Sequence, residues 1–467
     1  MFDTPLLNNT SPYATKHMHT ISEKYLSNYK RIIRLGTPIV IGQLGNIILG
    51  FIDTIMVGRY SADALSASGF VNNIFNLGII SLIGFSYGAT PVIGAYFGRK
   101  ENDNVGAAFK DSIWAGSIAG AIVFAIYTML YLNLHNMGQP QELLPLMRPY
   151  FLILLLSLPC TVLFNTLKQF TDTVAATKTA MWVIMAGNIT NIVLNYLLIY
   201  GIGIFPEMGL TGAGVATFTA RLLMIALFVV FIKREKRFKA FSNGFHSRGR
   251  DNKAIAHLCK IGTPLAMQMG METASFSLAS LFMGWLGATE LAAFQVMCIT
   301  GSLCFLIYYG IGAAASIRIS HHYGRGEWEG LRTTTTAAFH IIMVAATILS
   351  TMIALTQNHL AQLFTQDANI QAMYAALIIP MLAYQISDGI QTNYANALRG
   401  IAVTKPLMGY AFVAYICISL PTSYLFGFTM GMGAIGVAMG LPFGLTAAAL
   451  LYYFRFRKEV NYHLQGK

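Results

Sequence analysis

Asp53, Glu272 and Asp388 each lie inside a long apolar stretch of this 467-residue chain. An ionisable side chain near the centre of a bilayer costs about 2.5–3.5 kcal/mol on insertion scales, so such residues mark function before they mark structure. Glu272 falls about ten residues into its stretch, about 15 Å deep at 1.5 Å per residue. Asp388 reaches a similar depth from the other side, with Tyr384 one turn earlier on the same helical face. Two carboxyls converging in one dry bundle cannot both stay ionised cheaply. Either they share a proton or a cation sits between them. Asp53 is the acid singled out in the first bundle, and its expected companions are Asn191 and Asn195, spaced i, i+4, and Thr217. Carboxylate, amide and hydroxyl oxygens suit a hard cation, or an acid that takes a proton and needs partners. Asn and Thr in membrane helices also act as interhelical glue, and that alternative stays open for these three. A glue role fits the acids poorly, because glue can be made without charge.

Other chemistries fit less well. Gly84-Phe85-Ser86-Tyr87-Gly88 matches the G-x-S-x-G nucleophile elbow. That elbow needs a strand-to-helix turn and a triad. Here a mid-helix position is expected, and the segment Gly310-Ile311-Gly312-Ala313-Ala314, its counterpart in the repeat described below, lacks the serine. Small residues for helix packing are the better reading, and an intramembrane enzyme is not expected. His321-His322 has no surrounding ligand cluster, and the five cysteines show no C-x-x-C spacing. Neither a structural metal nor a cofactor is expected.

The elements that must position these residues follow from composition. Charged residues make up 11% of the chain and hydrophobic ones 55%, with a mean hydropathy of +0.56. A globular domain carries about 25% charged residues, so soluble enzyme, disordered scaffold and nucleic-acid module are all excluded as whole-chain descriptions. Spanning a bilayer takes about 20 apolar residues in a helix. Twelve such runs are predicted near 34–58, 70–97, 109–134, 148–172, 179–203, 210–232, 260–286, 291–321, 332–357, 372–398, 405–429 and 433–454. None alternates at period two, so the spans are helices. Pro38 and Pro264 are expected to start helices, whereas Pro91, Pro159, Pro380, Pro421 and Pro442 are candidate kinks.

With the N-terminus inside, 28 of the 31 Lys and Arg residues fall in cytoplasmic segments. These include Lys168 and Lys178, counted with the segment that follows the fourth span, and Arg399 and Lys405 after the tenth. Only Arg59 and Arg148 lie outside, and Arg221 is within a span. This asymmetry predicts both termini in the cytoplasm of a multi-pass protein of the cytoplasmic (inner) membrane. The formal charge of +12 is then a topology signal and an attraction for the lipid bilayer, with no nucleic-acid partner. No cleaved signal peptide is expected from the polar first thirty residues.

The chain also repeats. Leu35-Gly36-Thr37-Pro38 returns as Ile261-Gly262-Thr263-Pro264, and the same offset pairs Gly84 with Gly310, Gly98-Arg99 with Gly324-Arg325, and Glu101 with Glu327. Further on, Thr177-Lys178 matches Thr404-Lys405. Six spans per copy is an even number, so the pseudo-two-fold axis runs along the membrane normal. Such parallel repeats belong to transporters that rock two bundles about a central site. The predicted division is a six-helix lobe over 1–232, a basic cytoplasmic linker over 233–259 and a second lobe with a short basic tail over 260–467. The fold class is all-α, with twelve transmembrane helices in two six-helix lobes.

Pro38, Gln43 and the run Gly50-Phe51-Ile52-Asp53-Thr54-Ile55-Met56-Val57-Gly58 resemble the first helix of multidrug and toxic compound extrusion (MATE) transporters. Asn191-Ile192-Val193-Leu194-Asn195-Tyr196 is similar to that family's fifth helix. Glu272, Tyr384-Gln385-Ile386-Ser387-Asp388 and Leu398-Arg399-Gly400 resemble the seventh and tenth helices of its NorM-like branch. The resemblance implies two lobes forming a V around a central cavity, and efflux of organic cations in exchange for Na⁺ or H⁺. It implies cation sites at Asp53, Asn191, Asn195 and Thr217 in one lobe, and at Glu272, Tyr384 and Asp388 in the other. Some members carry a second acid where this chain has Asn195. Substrate contacts in the central cavity are not readable, and a monomer is expected. A lipid-linked precursor flippase of the wider superfamily is the alternative; it would need a basic cavity, for which only Arg221 is a candidate.

Overall fold

The computed structural model describes the backbone of residues 12–138, 140–247 and 249–465, with side chains from Tyr25 onward. Four of the basic residues used to orient the chain, Lys16, Lys24, Arg248 and Lys467, have side chains outside that range. Among the described residues there is no strand. In chain order the helices are α1 (Pro12–Tyr60), α2 (Ala62–Ser86), α3 (Ala89–Gly98), α4 (Asn102–Leu132), α5 (Leu144–Thr173), α6 (Thr177–Tyr200) and α7 (Gly209–Arg234). The short α8 (Lys236–Lys239) and α9 (Ser242–Ser247) follow. The second half contains α10 (Asn252–Leu286), α11 (Ala288–Gly324), α12 (Trp328–Phe364), α13 (Ala368–Ala376), α14 (Ile378–Gly400), α15 (Thr404–Ala411), α16 (Leu420–Tyr424) and α17 (Gly433–Leu464).

Every predicted span coincides with a helix or an interrupted helix. Among the described residues, ten segments are long and apolar enough to cross a membrane, and α13 with α14 makes an eleventh, bent by 47° just before Pro380. The twelfth, α10, has the length but carries Gln268, Glu272, Ser275, Ser277 and Ser280 where the others carry hydrocarbon. Pro421 withdraws a backbone donor from the eleventh span, and the π-helical turns Phe412–Ser419 and Leu425–Thr429 flank it.

Two sequence expectations need correction. Pro38 and Pro264 do not start helices; both lie inside them, in α1 and α10. The helix runs on ahead of Pro38 because its preceding turns are packed: Ile32 is buried, and Arg318 donates to Asn28 Oδ1 at 2.6 Å. The G-x-S-x-G segment is not mid-helix either. Tyr87 and Gly88 break the second span between α2 and α3, and Gly88 lies directly on Gly262 of α10. Ser86 returns its hydroxyl hydrogen bond to Ile83 O, so the motif serves close packing.

The repeat is visible in the backbone. Lys100 and Gly326 occupy the left-handed region at φ 63° and 70°, and Ala175 and Ala402 do so at 61° and 60°. Each closes a helix C-terminus with the same paired backbone bonds, in which a left-handed residue satisfies otherwise orphaned carbonyls. Arg99 pairs with Glu101 at 2.7 Å, and Arg325 with Glu327 at 3.3 Å. Hydrogen bonds from Asn104 and Arg99 hold the Glu101 carboxyl below its ordinary pKa.

Helices α1, α2 and α4–α7 pack mainly within their own half, as do α10–α17, whereas α3 packs chiefly on α11. The halves meet where α2 crosses α10 and where α1 and α3 cross α11. These contacts concentrate at the end that carries the basic turns after α3 and α11. There a Cβ on Gly98 would lie 2.2 Å from His321 O, and one on Gly324 would lie 2.1 Å from Ala95 O. The two approaches are repeat-related and reciprocal, as a two-fold contact requires. Gly98→Val should therefore cost the closed contact about 1–3 kcal/mol through overpacking. Spin labels flanking this end should report a shift toward an open arrangement; unchanged distances would show that the contact does not hold the halves together.

Candidate functional site

The first cluster forms where α1, α6 and α7 cross. Asn191 and Asn195 lie one turn apart on the face of α6 turned inward, and both are buried. Asn195 donates to Asp53 Oδ1 at 2.5 Å and to Asn191 Oδ1 at 2.9 Å. Asn191 in turn reaches Thr217 Oγ1 at 3.2 Å. With its amide turned over, Asn191 donates to Asp53 at 3.1 Å and accepts from the hydroxyl and backbone amide of Thr217, each at 3.2 Å. The buried Asn195 Oδ1 has no partner. All four predicted residues thus come together, and an unsatisfied oxygen sits beside a carboxyl.

The second cluster lies between α10 and α14. Gln391 donates to Glu272 Oε1 at 2.9 Å and to Asp388 Oδ1 at 3.3 Å, so one amide spans the acid pair. Gln268 holds the other Glu272 oxygen at 2.9 Å, and Thr392 donates to Asp388 at 3.4 Å. Asp388 is 5% exposed. The Gln391 carbonyl oxygen has no partner. Tyr384 is buried one turn from Asp388, but its hydroxyl lies against Gly301 of α11, and no described hydrogen bond joins it to the carboxyl. Among the described residues, no basic side chain lies within ion-pair distance of Asp53, Glu272 or Asp388.

Several residues were missed by counting charges along the chain. Lys168 and Arg399, assigned to cytoplasmic segments, are inside α5 and α14. Lys168 pairs with Asp172 at 2.9 Å with side chains only 14% and 5% exposed. Arg399 is buried, donates to Gln268 Oε1 at 2.6 Å and stands 5.4 Å from the ring centroid of Tyr87 in the other half. Asp53, Glu272 and Asp388 are therefore not the only intrahelical acids, because Asp111 and Asp172 are buried in α4 and α5 as well. The i, i+4 spacing of Lys168 and Asp172 was the available signal. For Arg399 it was the polar stripe Gln385, Asp388, Gln391, Thr392 and Asn396 ahead of it on one helical face.

A cavity of about 250 Å³ opens between α1, α2, α5, α6 and α7, with Tyr309 of α11 on its wall. Asn191 and Thr217 line it, as do Gln43, Asn188, Lys168 and Arg221. Asp53, Glu272, Tyr384 and Asp388 do not. At its edge the hydroxyls of Tyr87 and Tyr309 hydrogen-bond across the two halves.

The family model described as MatE matches residues 38–197 and 264–425, two stretches that begin at the repeat-related prolines. A protein described as multidrug resistance protein NorM, from Vibrio parahaemolyticus, is 29% identical over 438 residues, which is 93% of this chain and 96% of that protein. The crystal structure of the eukaryotic MATE transporter AtDTX14 superposes with a TM-score of 0.84 at 18% identity, covering 94% of this chain and 99% of that one. A variant of the Vibrio cholerae MATE transporter VcmN does so with a TM-score of 0.83 at 17% identity, covering 94% and 98%.

Proposed function

The chain belongs to the MatE family, and from that premise we propose that it is a secondary antiporter exporting cationic amphipathic compounds in exchange for Na⁺ or H⁺. The relative described as a multidrug resistance protein supports multidrug efflux as the task. One observation carries the coupling: both halves hold part-buried or buried carboxyls whose described hydrogen bonds come only from neutral amides and hydroxyls. A buried acid without a counter-charge is costly, and a cation or proton taken from water removes that cost. Na⁺ or H⁺ entering at Glu272 and Asp388, or at Asp53, Asn191, Asn195 and Thr217, stabilises one arrangement of the halves. Its departure on the other side favours the arrangement that takes the compound to be exported. Each ligand shifts the equilibrium only by its differential affinity for the two arrangements, and each must weaken the other's binding by the same factor.

The orientation belongs to the same reading. With the basic segments in the cytoplasm, the Gly98–His321 and Gly324–Ala95 contacts seal the cytoplasmic face, and the described state faces outward. Residues 1–232 and 260–467 act as the two moving lobes, joined by 233–259, in a monomer of the inner membrane. Packing of α9 against α4, where Gly244 meets Asp103 O, ties that connection to the first lobe. In sealed proteoliposomes an imposed inward Na⁺ or pH gradient should drive loss of a fluorescent organic cation. Each gradient is applied separately, and efflux under neither would end the antiport reading.

A further inference from the structure

Arg221 is the thirteenth residue of the 26-residue α7, which places its guanidinium near mid-membrane. A guanidinium does not lose its proton in a protein, so it cannot escape the cost of that position by neutralising. Its only described polar partner is Ser157, whose hydroxyl oxygen lies 2.5 Å from Nη1. No acid pairs with it, in contrast to Lys168, which lines the same cavity but is neutralised by Asp172. The cavity wall contains no carboxyl at all. A bare organic cation entering it finds no counter-charge on the wall and meets an unpaired positive one.

We propose that this cavity takes amphipathic molecules bearing an anionic group, carboxylate or phosphate, and that Arg221 is the residue that binds that group. The proposal deepens the antiporter reading and rests on it for the idea that the cavity is a substrate chamber. The planar guanidinium fork matches a carboxylate or phosphate with two parallel hydrogen bonds, which an ammonium cannot reproduce. Thr217 precedes Arg221 by one helical turn on the same face, roughly 5–6 Å away. Through Thr217, Asn191 and Asn195 this neighbouring part of the wall connects to Asp53. The two poles are thus a fixed positive group and an oxygen-rich cluster backed by an acid. Ile79, Ile83, Phe164 and Met224 supply apolar surface on the same wall. A zwitterion with its anion on Arg221 and its cationic pole toward Asn191 satisfies both groups, so among cationic amphipaths those that also bear an anionic group bind best.

The experiment uses a matched pair of fluorescent probes, a zwitterionic amino acid amphipath and its methyl ester, which is a plain cation. Binding is measured on the full-length protein in nanodiscs of phosphatidylcholine. The wild type should bind the acid at least tenfold more tightly than the ester. In Arg221→Gln that preference should fall to within about twofold, and Arg221→Lys should restore only part of it. Wild-type protein that binds the ester as well as the acid overturns the proposal, even if Arg221→Gln fails to fold. Loss of acid binding on adding phosphatidylglycerol would assign the anionic group to a lipid headgroup and overturn the free-amphipath form. The two readings separate cleanly. Cation-driven efflux without acid preference sinks only this inference, whereas acid preference without any gradient-driven efflux sinks the antiporter.

Discussion

Asp388→Asn should reduce gradient-driven efflux by about a hundredfold or more while leaving the protein inserted and folded, because switching a two-state carrier between extremes takes about 5.5 kcal/mol of differential ligand affinity. Asparagine keeps the volume of aspartate and can still accept from Gln391 or Thr392, the two donors that hold it. It cannot carry the negative charge that gives a cation its affinity, or take up and release a proton as a carboxyl does. Glu272→Gln should act in the same direction, since the same Gln391 amide spans both carboxyls. The measurement is efflux from proteoliposomes under an imposed Na⁺ or pH gradient, beside a thermal melt of the purified variant. If Asp388→Asn pumps at the wild-type rate, coupling resides at Asp53, and the acid pair is structural.

Asp172→Asn should destabilise the protein by about 3–5 kcal/mol, the usual cost of leaving one member of a buried ion pair without its partner. Lys168 and Asp172 are less than 15% exposed, so water screens little of the pair. Asp172 Oδ1 already lacks a hydrogen-bond partner, so the site has no spare donor to soften the change. Removing both charges together, as Lys168→Met with Asp172→Asn, should recover most of the loss, because no uncompensated ion remains. Thermal unfolding of the two single variants and the double variant gives the coupling directly. Single variants as stable as the wild type would show that water reaches the pair.

The helices were legible because hydrocarbon imposes a one-dimensional requirement, about 20 apolar residues in sequence. The repeat was legible for a similar reason. Gly98 and Gly324, and Lys100 and Gly326, recur because two copies of one local structure demand the same backbone at the same place. The i, i+4 pairing of Asn191 with Asn195 could also be read, since it lies on one helix. That Asp53 and Thr217 complete the cluster was a guess between helices, and the packing of α1 and α7 on α6 made it a contact. Tyr384 shows the limit: it lies on the correct face, yet its hydroxyl goes to Gly301.

Charge position was misread where helices outrun their apolar windows. Arg399 follows its hydrophobic run and Lys168 sits in the last turns of its own, and both count with the cytoplasmic segments that come next. In the folded protein α5 and α14 continue as helices, and both side chains turn inward to Asp172 and Gln268. The amino-acid sequence by itself determined the solvent, the number of crossings, the duplication and the presence of acids at Asp53, Glu272 and Asp388 within spans, because each depends on residues close together in the chain. Only the tertiary structure decided which of those groups share a chamber, and so left Arg221 without an acid. Spans that are apolar nearly all round do not specify their own rotation, and a turn of a helix about its axis exchanges one set of neighbours for another.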